Sequence, residues 1–169
     1  MKNSICFFII SLLFFIPVFL PAQTAAEIEV LLDTPALSYE QAARFVLRAA
    51  DVTADISPAE AFHYAQEKNW LPKKAESNGQ ASLGGVSLLI MRSFDIKGGL
   101  FYSLFKNQHY AYRELVYKDV IQGRFDPGMA VSGDQLLFMV NRVLSGRPGN
   151  EELDFDIDKY INPAADGAI

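Results

Sequence analysis

Residues 107–145, NQHYAYRELVYKDVIQGRFDPGMAVSGDQLLFMVNRVLS, decide how the rest of the chain is read. Ala111, Tyr112, Leu115 and Val116 recur at helical spacing and predict one amphipathic helix. Gly123, Asp126, Pro127 and Gly128 supply a turn. Ser132, with Gln135 three residues on, then forms a capping box that opens a second helix. Leu136, Leu137, Val140, Val143 and Leu144 give that helix one apolar face. Two helices around a turn cannot close a core alone, so this unit needs partners from elsewhere in the chain.

Those partners share its signature. SYEQAARFVLRAADV starts at Ser38 and SLGGVSLLIMRSFDI at Ser82, and each has an Arg ten residues after its Ser: Arg48, Arg92 and, in the first stretch, Arg142. The starts at 38, 82 and 132 lie 44 and 50 residues apart, a spacing at which repeated helical units occur. Ala42, Phe45, Val46 and Ala49 form the apolar stripe of the first of these helices, and Val86, Leu89, Ile90 and Phe94 that of the second. Ser57-Pro58-Ala59-Glu60 opens a further helix with Ser at the cap and Pro at its first position; Ala61, Phe62, Tyr64 and Ala65 supply its buried side. Residues 73–80 read as a solvated loop. Gly98-Gly99 precedes LFYSLF, residues 100–105. The ordinary reading of that segment is a core helix; its three aromatics also allow an exposed patch for a membrane surface or a partner.

The ends of the chain differ from its middle. Lys2, the apolar run from Ile5 to Leu20 and the small residues after it predict a signal peptide over 1–22. The apolar run is shorter than the roughly 20 residues of a spanning helix, and Pro17 and Pro21 interrupt it. The sole cysteine, Cys6, falls within this segment, so the remainder carries no disulfide and no thiolate metal site. Export without disulfides suits the periplasm or envelope of a bacterium. The formal charge of −5 argues against a nucleic-acid partner. The domain is expected over 27–146, followed by an acidic, flexible tail over 147–169 with one short ordered turn at 155–160.

Residues 27–146 resemble the S-layer homology family, whose domains are three helix–turn–helix units. Val120-Ile121-Gln122-Gly123 is similar to the family's Ile-Ile-x-Gly turn, with Asp126, Pro127 and Gly128 as its remainder. Val131-Ser132 to Leu144 resembles its second helix. In the middle unit Asn69-Trp70-Leu71 stands at the turn and Ile90 to Phe94 at the helix end; Leu37 to Val52 represents the first unit. The resemblance implies an all-α fold of three units packed about a pseudo-threefold centre. It also implies a non-catalytic module that binds a cell-wall glycan, peptidoglycan or an associated polymer, or else an envelope scaffold that binds another protein through its aromatic surface. The positions of the family's glycan-binding Arg read Tyr39, Leu83 and Gly133 here, while Ser keeps the cap in all three units.

Candidate ligand-binding residues follow from charge and aromatic character. Arg48, Arg92 and Arg142 either line equivalent grooves or sit in the last turns of their helices, where the dipole favours a cation by about 0.3–1 kcal/mol. Arg124, beside Gly123, forms with Trp70, Tyr110, Tyr112 and Tyr117 a surface of the kind that stacks on sugars or partner side chains. His63 and His109 share no ligand spacing with acids, and no triad, phosphate loop or carboxylate pair is evident. No catalytic residue, metal or cofactor is therefore expected.

Overall fold

A computed structural model describes residues 20–53, 55–123 and 125–146, with side chains from residue 26 onward. Cys6, most of the expected signal segment, the tail over 147–169 and Arg124 lie outside the described residues. The described chain is all-α: α1 (Leu20–Leu32), α2 (Tyr39–Ala49), α3 (Pro58–Glu67), α4 (Leu83–Ser93), α5 (Leu100–Phe105), α6 (Gln108–Tyr117) and α7 (Gly133–Ser145). Among the described residues extended pairing is limited to two isolated bridges, Ser38 with Gln80 and Ser82 with Ala130. No described helix is long and apolar enough to cross a membrane. α1 runs through residue 27, the expected start of the domain.

The caps fall where the sequence places them. Ser38, Ser57, Ser82 and Ser132 are N-caps with extended backbone, and Asn107 caps α6. Gln41, Glu60 and Gln135 each accept the N–H of the capping Ser. In α4 the third position is Gly85, which has nothing to offer. There the Tyr39 hydroxyl accepts the Ser82 N–H at 3.3 Å and bonds the Ser82 hydroxyl at 2.9 Å, so the box is completed from α2.

Helix ends follow one rule that the sequence reading does not state. Asp51, Asn69, Asp95 and Asp119 end α2, α3, α4 and α6 in the left-handed region, at φ between 50° and 57°. Asp and Asn tolerate this conformation better than other non-glycine residues. The next residue, apolar each time, bonds back into its helix: Val52 to Leu47, Trp70 to Ala65, Ile96 to Met91 and Val120 to Leu115. These are Schellman-type stops, which satisfy helix carbonyls and turn an apolar side chain inward.

Pairing differs from the helix–turn–helix units expected. α6 packs on α4 rather than on α7; α3 packs on α2, and α1 packs on α7. Each first helix thus leans on the preceding second helix, and α1 closes the circuit against the last one. Fifteen residues separate α3 from α4 and α6 from α7, whereas eight join α2 to α3 and six join α1 to α2. α2 touches α4 and α7 at the centre.

The residues just before the caps meet there. Leu37 N–H donates to Val131 C=O at 2.8 Å, Val131 N–H to Ala81 C=O at 2.9 Å, and Ala81 N–H to Leu37 C=O at 2.8 Å. This closed cycle of backbone bonds has all three residues fully buried. The next layers are Ala42, Val86 and Leu136, then Val46, Ile90 and Val140, each four residues further along its helix and buried. α4 is buried on nearly every side; Ser87 and Ser93 satisfy their hydroxyls on the Leu83 and Ile90 carbonyls. The 73–80 loop is not merely solvated: Ser77 and Gly79 carbonyls take the free N–H groups of Glu40 and Tyr39 at the start of α2.

Candidate functional site

The first residue of each central helix faces the start of the next central helix. Tyr39 of α2 reaches α4, where its hydroxyl lies against Ser82 and its ring occupies the space over Gly85; a Cβ on Gly85 would meet the Tyr39 oxygen at 2.4 Å. Leu83 of α4 reaches α7 but is too short to fill the equivalent space. A groove of about 410 Å³ remains there, with Leu83, Val120, Ile121 and Met139 as its apolar floor. Gly133 of α7 faces α1 and α2 with no side chain at all. Its N–H bonds Thr34 C=O at 2.9 Å, and a Cβ would fall 1.6 Å from Leu31 C=O. Leu31 and Thr34 line a second groove of about 480 Å³, along Gln41, Arg44, Phe45 and Arg48 of α2. Thus Gln41, Arg44 and Phe45 on α2 match Gln135, Phe138 and Met139 on α7, counted three, six and seven residues from the cap.

The α7 groove carries the better ligand chemistry. Phe125 and Phe138 flank it and are 44% and 41% exposed, so each ring has an open face. Asp134, Gln135 and Gln122 supply polar groups. Gln135 is committed to the cap. Asp134 is exposed, and its carboxyl is held below its ordinary value, first by the Ser132 hydroxyl. Partial desolvation opposes that shift, and backbone N–H groups at the helix start reinforce it. Arg142 stands at the groove's end. Its guanidinium lies 5.1 Å from the Phe138 ring centre and donates to Asp119 C=O. With the Gln122 amide oxygen turned toward it, two further bonds form at 2.7 and 3.0 Å. The Tyr112 hydroxyl donates to Phe125 C=O at 2.8 Å and accepts the Phe125 N–H at 3.2 Å, which fixes the aromatic wall. Tyr112 therefore acts on the site through Phe125.

The other sequence candidates do not join this groove. Arg48, Arg92 and Arg142 do occupy the last turns of α2, α4 and α7, but their surroundings diverge. Arg48 pairs with Glu27 of α1 at 3.0 Å, and Arg44 pairs with Glu27 and Asp55 at 3.0 and 3.2 Å, so the cations beside the second groove are already neutralised. Arg92 has a buried Nε without a hydrogen-bond partner and lies near Tyr102. Trp70 follows the end of α3, edge-on to Tyr64 at 5.9 Å, half-buried against the core. Tyr110 stacks under Phe101 and Phe105 instead, and Tyr117 is exposed. The expected grouping of Trp70 with the three tyrosines is thus not formed: Trp70 packs beside α3, and the tyrosines, all on α6, have different surroundings. Phe125, Phe138, Gln122 and Asp134 are missing from the sequence candidates; the spacing of Phe138 and Arg142, four apart on one helix face, is the signal that points to two of them. Among the described residues no cluster of three or more potential metal ligands occurs.

Comparison with known proteins gives no match: no family model, no curated protein and no solved structure is detectably similar to the chain.

Proposed function

We propose that this chain is a non-catalytic binding module of a bacterial cell envelope, built as three S-layer-homology-like units about a pseudo-threefold centre, which binds a wall glycan in the groove before α7. The cycle of bonds among Leu37, Ala81 and Val131 supports the architecture, since it relates the three units by one repeated contact. The observation that carries the binding reading is the open aromatic pair, Phe125 and Phe138, with Arg142 and Asp134 beside it. Aromatic faces stack on the apolar faces of sugar rings, while the charged and amide groups take the hydroxyls or carboxylates at their edges. A floor of aliphatic side chains with a few directed polar groups is the usual make-up of a small-ligand site.

The test is co-sedimentation of the purified protein with wall sacculi. Wild type is expected in the pellet, and Phe138→Ala and Arg142→Ala are each expected to weaken binding about tenfold, the scale of one hot-spot contact. Undiminished binding by both variants, or no binding by wild type, rejects the reading.

A further inference from the structure

The α5 segment presents a surface that the wall-binding reading leaves unused. Leu100, Phe101, Leu104 and Phe105 are 72%, 61%, 66% and 59% exposed. Their spacing of i, i+1, i+4 and i+5 puts all four on one face, while Tyr102 alone points into the core at 4% exposure. The core helix expected from LFYSLF is therefore inverted: one residue anchors it and four stand outward. The face is also held rigid. Phe101 and Phe105 both stack on Tyr110, with centroids 5.8 and 5.5 Å away and ring planes 13° and 24° apart. The Gly99 N–H bonds the Glu114 carboxylate at 2.9 Å, and Lys106 closes the helix in the left-handed region.

We propose that this face inserts into the headgroup region of an anionic lipid bilayer. Charge selects the occupant. Lys97 and Lys106 bracket the helix and Arg113 lies one turn beyond Tyr110, all exposed, in a chain whose net charge is −5. The nearby acids are Asp95 and Glu114, the latter accepting the Gly99 N–H, so three cations stand against two carboxylates. Cations around an apolar tip match anionic headgroups over acyl chains. Size points the same way. The patch is on the order of a few hundred Å², large enough on a monomer to be functional, yet a specific protein partner covers roughly 800 Å² per side. A convex tip of four side chains on a six-residue helix suits a soft surface better than a matched cleft.

The test uses the full chain with vesicles of phosphatidylcholine and phosphatidylglycerol carrying brominated acyl chains. Because the apolar run at 5–20 can itself bring the chain to lipid, the readout must be local. Trp70, the single tryptophan, provides the baseline emission, and Phe105→Trp or, independently, Leu104→Trp reports on the patch. The added emission is expected to be quenched several-fold more than that of Trp70 in anionic vesicles, and K97E/K106E is expected to abolish the difference. Quenching at 104 and 105 equal to that of Trp70 overturns the proposal. So does concentration-dependent self-association that F101S/L104S removes, since the face would then be a contact between copies of this chain.

Discussion

The start of α4 and the start of α7 share a capping Ser, a buried stripe and an Arg ten residues on, yet one is sealed and the other open. The difference comes from a single side chain borrowed from the preceding central helix. Tyr39 fills the space before α4 and supplies the acceptor that Gly85 lacks. Leu83, at the matching position before α7, leaves about 410 Å³ and lets Gln135 complete its own cap. Gly133 extends the series: with no side chain, it admits the α1 backbone and leaves the groove along α2. The residue at the first helical position thus sets how much of each groove is available, and α2, α4 and α7 diverge there while each keeps a capping Ser.

The largest expected effect comes from the tightest of the three joints. Gly133→Ala would drive a methyl into the Leu31 carbonyl, and backbone cannot step aside as a flexible side chain can. A loss of at least about 4 kcal/mol is expected, at the severe end for one substitution, read as a fall in denaturation midpoint together with loss of protection in α1. A stable, fully protected α1 in this variant would show that α1 does not dock where the series requires. At the sealed joint, Tyr39→Phe keeps the ring but strips the Ser82 N–H of its acceptor. A loss of about 1–2 kcal/mol follows from leaving a part-buried donor unpaired, and Gly85→Gln in the same background should give no rescue, because the ring still occupies that space.

The converse substitution separates groove from scaffold. Leu83→Tyr should fill the opening before α7 as Tyr39 fills the one before α4. Stability is expected to change by less than about 1.5 kcal/mol, since the new ring enters existing space. Sacculus binding should fall at least as far as in Phe138→Ala. Binding retained beside a filled groove would move the ligand site elsewhere on the molecule.

How much of this was legible in the sequence follows from the range of each interaction. The caps at Ser38, Ser57 and Ser132 are legible because a capping box is satisfied within four residues, and at Ser82 the Gly85 N–H still gives the Ser its own half of the box. The helix end at Asn69-Trp70 is legible, but the stops at Asp51, Asp95 and Asp119 are not, since the usual marker is Gly and the bond pattern that identifies an Asp stop depends on backbone angle. An amphipathic stripe says which face is buried but not against what, so nothing in it shows that α6 packs on α4. The same limit explains α5, where four apolar residues on one face give no sign that the face stays largely exposed beside Tyr110. Arg48, Arg92 and Arg142 are legible as last-turn cations, yet Arg48 meets α1, Arg142 meets the 119–122 turn, and Arg92 has a buried Nε without a hydrogen-bond partner. The groove itself is illegible because its size is set by Leu83, a residue of α4 some fifty positions before α7.

The smallest effect concerns protons and again sets the open groove apart. Before α7 the Ser132 hydroxyl engages the Asp134 carboxylate, whereas before α4 the Ser82 hydroxyl engages a phenol. Asp134 has a folded pKa below its unfolded value near 3.8, because the charged form holds the Ser132 bond. The unfolded chain therefore takes up the proton first as acid is added. The contribution is fully present above the unfolded pKa and is lost as pH falls through the folded one. Glu60, lowered by its bonds to Ser57, follows the same course at α3. Hydrogen exchange between pH 5 and 2.5, corrected for intrinsic rates, should show the first turns of α7 and α3 losing protection while the first turn of α4 keeps it. Asp134→Asn should flatten the α7 response alone. Equal loss at all three helix starts would mean that acid loosens the whole bundle, and that the hydroxyl–carboxylate pair before α7 adds nothing of its own.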